Sequence, residues 1–142
     1  MKGKDFLSIL DLTPDEVVET IKSAQFLKHS KAPTCLQNKT IALIFEKPSL
    51  RTRVSFEVAI RQMGGSCIFL SNREIGLGIR EPESDVAKVL DRLVDGIVAR
   101  VFSHRSLDIL AKNSSIPVIN ALSDQAHPCQ ALGDMLTIFE HL

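Results

Sequence analysis

The sequence carries no excess of charge of either sign. Its 142 residues include 17 basic and 17 acidic side chains, so the formal net charge is zero. A general electrostatic attraction to nucleic acid or to a membrane surface is therefore not expected. Any site for an anion must be local and built from particular side chains.

The signals of membrane insertion, secretion and metal binding are also missing. No apolar run approaches the ~18 residues of a membrane-spanning helix, and the first residues lack the apolar core of a signal peptide. The three cysteines, Cys35, Cys67 and Cys129, include no C-x-x-C pair. They are typical of reduced thiols and indicate no zinc or other metal site. We expect a cytoplasmic protein.

Glycine-rich nucleotide motifs are absent as well. The sequence contains neither G-x-G-x-x-G nor G-x-x-x-x-G-K-[ST], and it has no G-x-S-x-G elbow. The short Gly76-Leu77-Gly78 is too small to count as such a motif. Rossmann cofactors, P-loop nucleotides and serine-hydrolase chemistry are therefore disfavoured.

Strand and helix patterns alternate along the chain. Apolar runs typical of buried strands cover residues 41–45, 66–70, 96–101 and 116–120. Helical patterns begin at Thr13-Pro14, where Glu16 completes a capping box, and they also follow the turn at Ser49, the predicted cap Ser84, Ser106 and His127. Continuous apolar strands favour a parallel sheet covered on both faces. We predict an α/β fold: a three-layer α/β/α domain over residues 1–142 with a central parallel sheet of about four strands.

The sequence also predicts connections and buried faces. Residues 31–39 and 71–83 are expected to be loops, and Gly64-Gly65 should end the second helix. The last helix reaches Leu142 without a glycine or proline stop, which indicates a segment of a longer protein. Two helices should bury one face each, formed by Val86, Val89, Leu90 and Leu93 and by Leu132, Met135, Leu136 and Phe139.

The turn from Ser49 to Arg53 joins the first strand to a helix and is the first candidate site. A helix N-terminus offers free N–H groups and the positive end of the helix dipole, and hydroxyl and guanidinium donors add to both. Arg51 and Arg53 diverge by roughly 200° around the helix, so one arginine is expected to reach an anion. We assign Ser49, the N–H of Leu50, Arg51 and Thr52 to the anion, and Arg53 to an ion pair with Glu57. The alternative is that Ser49 only caps the helix and both arginines are solvated.

Two further candidates follow other strands. Arg100 ends an apolar strand, where a buried arginine needs either an anionic ligand or a buried carboxylate. His127 and Pro128 open the last helix, followed by Cys129 and Gln130. An imidazole there could stabilise an oxyanion, and the Gln130 amide could face a ligand or cap the helix. Ligands bind beyond the carboxyl ends of parallel strands, so these motifs share one edge, although the strand order does not follow from the sequence.

Together these residues resemble the aspartate/ornithine carbamoyltransferase family. The stretch 45–57 is similar to the family's S-T-R-T-R motif, 127–130 is similar to its H-P-x-Q motif, and Arg100 stands at the matching spacing. The resemblance covers essentially the whole chain, but only the carbamoyl-phosphate-binding half of the family's two-domain enzyme. The stretches 5–14, 46–48 and 122–130 look more like ornithine than aspartate carbamoyltransferases.

The resemblance implies an enzyme that transfers the carbamoyl group of carbamoyl phosphate to the side-chain amine of ornithine, giving citrulline and phosphate, with no cofactor. It implies that Arg51, Arg100 and His127 stabilise the charge that develops in the reaction, and that Gln130 orients the carbamoyl NH₂ group. The implied substrate-binding residues are Ser49, Leu50, Arg51, Thr52, Arg100, His127, Pro128, Cys129 and Gln130.

This sequence departs from the family's pattern at two positions. Leu50 replaces the usual threonine, which matters little if the position contributes its backbone N–H. Gly76 stands where many relatives carry a glutamine that reaches the carbamoyl phosphate of a neighbouring subunit, so that role is not carried over. Arg73 or Arg80 in the same loop could substitute for it, although a solvated arginine is the more common case.

The resemblance also implies partners that this chain does not contain. The family's second domain binds the amino-acid acceptor, and its subunits form trimers with active sites at their boundaries. We therefore expect ornithine to bind through a second domain and the whole protein to be a homotrimer, with little turnover by this chain alone. The alternatives are a transcarbamylase for aspartate, putrescine or an acetylated ornithine, and a non-catalytic phosphate-binding or assembly module.

Overall fold

Four parallel strands form the centre of the fold in the spatial order β2-β1-β3-β4. They are β1 (Thr40–Phe45), β2 (Ser66–Ser71), β3 (Gly96–Arg100) and β4 (Val118–Leu122). This is a computed structural model, which describes residues 3–30 and 33–142. Lys31 and Ala32, at the start of the predicted loop 31–39, lie outside those ranges, as do Met1 and Lys2.

Helices cover both faces of the sheet, so the predicted three-layer α/β/α domain is confirmed. One face carries α4 (Glu83–Leu93) and α5 (His104–Lys112), and the other carries α2 (Leu50–Gln62) and α6 (Pro128–His141). Against α6 packs α1 (Pro14–His29), and Lys28 of α1 forms an ion pair with Glu140 of α6. A 3₁₀ turn at Ile9–Asp11 and the short helix α3 (Asn72–Ile75) complete the elements.

Alternation along the strands divides the core into two clusters. Ile97 and Ala99 of β3 face α4 and α5, whereas Val98 between them faces α2 with Leu43 and Phe45 of β1. Because consecutive side chains in a strand point to opposite faces, a run without polar residues is required when both faces are covered. This requirement explains why the strands appear in the sequence as continuous apolar runs.

Several local signals are confirmed. Thr13 and Glu16 form the predicted capping box at the start of α1, and Pro14 is the first helical residue. Helix α2 ends at Gln62, and Gly64 follows with a φ of +83°, a value that glycine adopts without the strain of a side chain.

Several element boundaries differ from the prediction, and α5 begins at His104, two residues before the predicted Ser106, with Ser103 as its N-cap. Helix α4 begins at Glu83 with Pro82 as its N-cap, so the predicted cap Ser84 lies inside the helix. The fixed φ of proline suits the start of a helix, and Glu83 and Asp85 place favourable negative charge in its first turn. Strand β4 begins after Pro117, which has no N–H to pair, and runs on to Leu122. The predicted loop 71–83 contains the short helix α3, and a capping box between Ser71 and Glu74 starts this helix.

The predicted helix faces are only half correct. In α4 the buried stripe is Val86, Ala87 and Leu90, whereas Val89 and Leu93 are 53% and 71% exposed. In α6 Met135 and Phe139 are 44% and 70% exposed. A helix laid on one face of a sheet buries only a narrow stripe, so neighbouring apolar residues at helical spacing need a second surface to cover them.

No helix within the described ranges is both long enough and apolar enough to cross a bilayer. The same ranges contain no group of three or more His, Cys, Asp or Glu side chains placed to hold a metal ion.

Candidate functional site

A cleft of about 500 Å³ opens at the carboxyl edge of the sheet. Strand order creates it, because β1, β3 and β4 are neighbours and their last residues are in register, Phe45 beside Arg100 and Arg100 beside Leu122. The segments that follow these strands therefore meet. The lining residues are Ser49, Arg51, Thr52, Ser55, Phe56, Arg100, Leu122, His127, Cys129, Gln130 and Gly133.

The N-terminus of α2 forms one wall of the cleft, and its backbone N–H groups are not capped by a side chain. Ser49 is the N-cap residue, but its hydroxyl donates to Thr52 Oγ1 at 2.9 Å and makes no cap hydrogen bond. The first N–H groups of a helix have no partner within it, and here the first intrahelical bond is from Arg53 N to Ser49 O. The N–H groups of Leu50, Arg51 and Thr52 are thus available to a ligand. The Leu50 side chain is 78% exposed and lies outside the cleft.

Two arginines line the cleft without carboxylate partners. Arg100 reaches across from β3, and its Nη1 donates to Thr52 Oγ1 at 3.3 Å, while its Nε is buried and has no hydrogen-bond partner. Arg51 is exposed at the mouth. Among the residues that the structure describes, neither arginine forms an ion pair with an acidic side chain. The buried carboxylate that Arg100 could have required is therefore not found there.

The other arginine of the motif has a different environment. Arg53 Nε donates to Glu57 Oε1 at 2.6 Å, which confirms the predicted ion pair, and the guanidinium stacks 3.6 Å from the centre of the Phe69 ring. Arg53 does not line the cleft. The structure therefore separates the two arginines as the helical geometry predicted.

His127 lies opposite α2, at the N-cap of α6. Burial and the nearby positive charge of Arg100 lower the pKa of His127, and Asp134 opposes this only in part. The imidazole is consequently neutral at pH 7. Its Nδ1 is buried and has no hydrogen-bond partner. A neutral imidazole that points into a cleft can donate one N–H without adding a second positive charge.

The three residues after His127 play different structural parts. Pro128 is fully buried as the first residue of α6 and does not line the cleft. Burial raises the pKa of the Cys129 thiol to about 11, so the group is neutral, and it donates to Asn120 O at 3.6 Å. The NH₂ group of Gln130 donates to Asp134 Oδ1 at 2.8 Å, which leaves the amide oxygen free to accept.

The structure therefore brings together Ser49, Arg51, Thr52, Arg100, His127, Cys129 and Gln130 of the predicted residues. It adds four wall residues that the sequence analysis did not single out: Ser55, Phe56, Leu122 and Gly133. Helical spacing could have found three of them, because Ser55 and Phe56 follow Thr52 by three and four positions and Gly133 follows Gln130 by three.

The loop that carries Gly76 does not line this cleft. Gly76 adopts a φ of +57°, and a Cβ there would lie 2.7 Å from Arg80 Cβ, so this loop conformation excludes a side chain at position 76. Arg80 Nη1 donates to Glu74 O at 3.3 Å within the loop, and Arg73 is exposed. Neither arginine reaches the cleft of its own chain.

The geometry provides the elements that stabilise a small anion and the negative charge that develops on it. A free helix N-terminus, two guanidinium groups and a neutral imidazole converge within one open cleft. Cys129, whose thiol lines the cleft, is half-buried and protonated, and it is therefore unsuited to act as a nucleophile. The arrangement favours binding and polarisation of an anionic substrate over covalent catalysis.

Comparisons with known proteins show which family the chain resembles in sequence and in fold. Residues 4–140 match the family described as aspartate/ornithine carbamoyltransferase, carbamoyl-P binding domain. An ornithine carbamoyltransferase of Bacillus cereus is 50% identical over 142 residues, which is all of this chain and 45% of that protein. The crystal structure of anabolic ornithine carbamoyltransferase from Campylobacter jejuni superposes with a TM-score of 0.92 at 42% identity, over 96% of this chain and 45% of that one.

A third comparison concerns a different acceptor. The crystal structure of a mutant N-acetyl-L-ornithine transcarbamylase, complexed with carbamyl phosphate and N-succinyl-L-norvaline, matches with a TM-score of 0.90 at 33% identity, over 97% of this chain and 48% of that one. In each case the chain spans about half the length of the relative that it matches. The chain belongs to the aspartate/ornithine carbamoyltransferase family, and it corresponds to the family's carbamoyl-phosphate-binding domain.

Proposed function

We propose that the cleft binds carbamoyl phosphate and that this chain is the carbamoyl-phosphate-binding half of an ornithine carbamoyltransferase. The observation that carries the proposal is the pair of arginines, Arg51 and Arg100, which meet an uncapped helix N-terminus and have no carboxylate partner among the described residues. Cations and free N–H groups held together in one cleft need an anion to balance them.

The phosphate group is assigned to the N-terminus of α2. Ser49, Thr52 and the N–H of Leu50 would donate to its oxygens, and the Arg51 fork would pair with two of them. The carbamoyl end then lies toward His127 on the opposite wall, and Arg100, whose Nη1 reaches Thr52 Oγ1 at 3.3 Å, would contact both ends of the ligand. Because Asp134 holds the Gln130 NH₂ group, the Gln130 amide oxygen would accept from the carbamoyl NH₂ and fix its orientation.

The reaction follows from this placement. An uncharged amine of the acceptor attacks the carbamoyl carbon, and the carbonyl oxygen takes up negative charge in a tetrahedral intermediate. The C–O bond to phosphate then breaks, and the leaving phosphate takes up the proton that the attacking nitrogen releases. His127 and Arg100 stabilise the oxyanion, and Arg51 and Arg100 together with the helix N-terminus stabilise the leaving phosphate. Holding both ends of the substrate also supplies part of the rate enhancement through orientation.

Ornithine is the proposed acceptor, and it would bind through a second domain. Relatives at about 50% identity carry the name ornithine carbamoyltransferase, and this supports the assignment. An acetylated ornithine is the strongest competing acceptor, because the similar N-acetyl-L-ornithine transcarbamylase structure shares this half of the molecule. Aspartate and putrescine also stay open as acceptors, since the acceptor contacts would come from the half that this chain does not span.

An exposed apolar face on α6 supports attachment of that second half. Ile138 is 56% exposed, and it continues the exposed stripe of Met135 and Phe139 along one side of the helix. Such a stripe calls for a covering surface, and the chain spans only 45% of a 50% identical relative. We assign this face to the acceptor domain.

Association of copies is proposed to use the loop region from Arg73 to Glu83. Ile79 at its tip is 89% exposed, although Leu77 beside it is buried and anchors the loop to the core. A rigidly anchored loop with an apolar tip suits a contact with a second copy. Sedimentation velocity of the whole protein should detect a trimer that Ile79→Asp dissociates. A trimer unaffected by this change would remove the loop from the interface.

Isothermal titration calorimetry tests the site directly. We expect carbamoyl phosphate and inorganic phosphate to bind this chain, whereas sulfamate, a control anion of lower charge, binds weakly. Arg51→Ala combined with His127→Ala should abolish binding, since each removes one wall of the cleft. Arg53→Ala is the matched control, because it removes the same charge from the same motif outside the cleft. Binding that survives the double substitution would rule out the proposed site.

A citrulline assay separates a half-enzyme from a complete one. This chain alone should produce little or no citrulline from carbamoyl phosphate and ornithine, because the acceptor half is absent. Turnover typical of the family by the 142-residue chain would contradict the proposal. If the longer protein binds carbamoyl phosphate but carbamoylates none of the four acceptors, a non-catalytic phosphate-binding or assembly module would be supported instead.

A further inference from the structure

Asn120 is a polar residue inside the core that the proposed chemistry does not use. It lies in β4 and is completely buried. Its side-chain NH₂ group donates to Leu7 O at 2.8 Å and to Ala126 O at 3.1 Å. One buried amide thus links the N-terminal segment to the residue immediately before His127.

The backbone of Asn120 makes a second pair of links to the same two segments. Its N–H donates to Phe6 O at 2.9 Å, and its carbonyl accepts from the Cys129 thiol at 3.6 Å. Asn120 therefore contacts the chain on both sides of His127, at Ala126 and at Cys129. No other residue among those described has hydrogen bonds to both of these positions.

The segment from Asp5 to Leu7 acts as the outer support of this arrangement. Phe6 is buried and pairs with Ile119 as a short parallel extension of the sheet beyond β4. Asp5 Oδ1 accepts from Val118 N at 2.8 Å, so the segment is fixed at both ends. Leu7 O is consequently a stationary acceptor for the Asn120 amide.

The turn that leads to His127 is closed on its other side by Ser123. The Ser123 hydroxyl accepts from Ala126 N at 3.2 Å, and Ser123 N donates to Ala126 O at 3.0 Å. Ala126 O is therefore shared between the turn and Asn120. The imidazole has no hydrogen bond of its own at Nδ1. Its position must come from the backbone that carries it, and Asn120 holds that backbone.

We infer that Asn120 is a positioning residue for His127, which it holds toward the cleft by tying the Ala126 carbonyl to the N-terminal segment. The inference rests on the proposed function for its effect on ligand binding. Its structural core, that the Asn120 amide sets the environment of the imidazole, stands on the hydrogen bonds alone.

Asn120→Ala removes the amide, and Val118→Ala is its matched control. Val118 is also fully buried in β4, and its truncation lowers stability through a cavity without touching the turn. We expect Asn120→Ala to weaken binding of carbamoyl phosphate by about tenfold, the effect of one lost charge-assisted hydrogen bond, with Val118→Ala near wild type. Equal weakening in both variants would overturn the inference, because general destabilisation would then explain it.

A double-mutant cycle with His127→Ala identifies the route of the effect. If Asn120 acts through His127, adding Asn120→Ala to His127→Ala should change the affinity by less than about twofold. A penalty that adds in full would overturn the inference. Asn120→Ser, which keeps one hydroxyl donor, serves the same cycle if the alanine variant does not fold, and it should give the same pattern at smaller amplitude.

Nuclear magnetic resonance titration of the histidine rings separates this inference from the proposed function. Without its anchor the ring becomes more solvated, so the His127 pKa should rise toward its ordinary value in Asn120→Ala and stay unchanged in Val118→Ala. Arg100 and Asp134 act on the ring in both variants, and the exposed His29 and His141 serve as internal references. If the wild type binds no carbamoyl phosphate, the proposed function fails, and this titration still decides the positioning role. An unmoved His127 pKa would overturn it.

Discussion

Arg100→Met should make the free protein more stable while it weakens the binding of phosphate. The reason is that Arg100 holds a buried Nε with no hydrogen-bond partner, in a cleft where no described carboxylate neutralises its charge. An unsatisfied buried donor costs about 1–3 kcal/mol, and the Arg100 hydrogen bond to Thr52 Oγ1 at 3.3 Å offsets only about 0.5–1.5 kcal/mol of this. Methionine fills a similar volume without the polar atom, so we expect a gain of ~1 kcal/mol in the free energy of unfolding.

Phosphate should reverse the order of stability of the wild type and Arg100→Met. At a phosphate concentration of ~100 Kd, binding adds ~2.7 kcal/mol to the stability of the wild type. Loss of one arginine–phosphate interaction of ~2 kcal/mol raises Kd about thirtyfold, so the same concentration adds only ~0.9 kcal/mol to the variant. The wild type should then be the more stable protein by ~0.8 kcal/mol.

Urea denaturation followed by far-ultraviolet circular dichroism measures both states. The chain has no tryptophan and no tyrosine, so helix content is the practical signal. Chloride should match the ionic strength in the phosphate-free arm. Arg53→Met is the control: it breaks the ion pair with Glu57 and should keep the full gain from phosphate. Two results would show that Arg100 is not an unpaired cation held for an anion: a free Arg100→Met protein that is less stable than the wild type, or an equal gain from phosphate in both proteins.

Three further predictions concern other parts of the chain. Burial and Arg100 lower the pKa of His127, so the unfolded state binds the proton more tightly than the folded state does. The contribution of His127 to stability is therefore complete above a pH of about 6.5 and is lost as the pH drops from there through the folded-state pKa. His127→Gln should flatten that part of a series of urea denaturations at different pH. The Cys129 thiol, with a pKa of about 11, should be ~0.1% ionised at pH 8 and resist alkylation until the protein unfolds, while the exposed Cys35 reacts at once, as mass spectrometry can show. Gly133→Ala adds a Cβ in open space within α6 and should raise the free energy of unfolding by ~1 kcal/mol. Gly78 has a φ of +71°, and a Cβ added there would lie 2.8 Å from a carboxylate oxygen of Glu83, so Gly78→Ala should lower the free energy of unfolding by ~1 kcal/mol or more. Thermal unfolding measures both changes.

The α/β/α fold and most of the cleft followed from local chemistry. The change from a strand pattern to a helix pattern predicted helix N-termini at Ser49 and His127, and the position of Arg100 in an apolar strand made it a candidate site residue. Their convergence did not follow, because it depends on the order β2-β1-β3-β4, which long-range pairing decides. A two-residue spacing was enough to divide Arg51 from Arg53, since helical geometry is local.

The errors have physical reasons of the same kind. The capping box of Ser71 and Glu74 was present in the sequence, but glycines nearby favoured a loop over the short helix α3. Val89, Leu93, Met135 and Phe139 fit an apolar period and are nevertheless exposed, because the period does not say which part of a broad face the sheet covers. Asn120 could not be distinguished within its strand, since its partners Leu7 and Ala126 lie in distant or irregular segments.

Amide and side-chain chemical-shift perturbation would map carbamoyl phosphate onto the chain residue by residue, and no other measurement probes the proposed site so directly. We expect saturable shifts centred on the Leu50, Arg51 and Thr52 amides, with the Arg100 guanidinium and the His127 ring responding in the same titration. Inorganic phosphate should shift the α2 amide signals as much as carbamoyl phosphate does, and the His127 ring signals less, because it lacks the carbamoyl end. Shifts that centre elsewhere on the surface, or none at saturating ligand, would show that this cleft is not a carbamoyl-phosphate site.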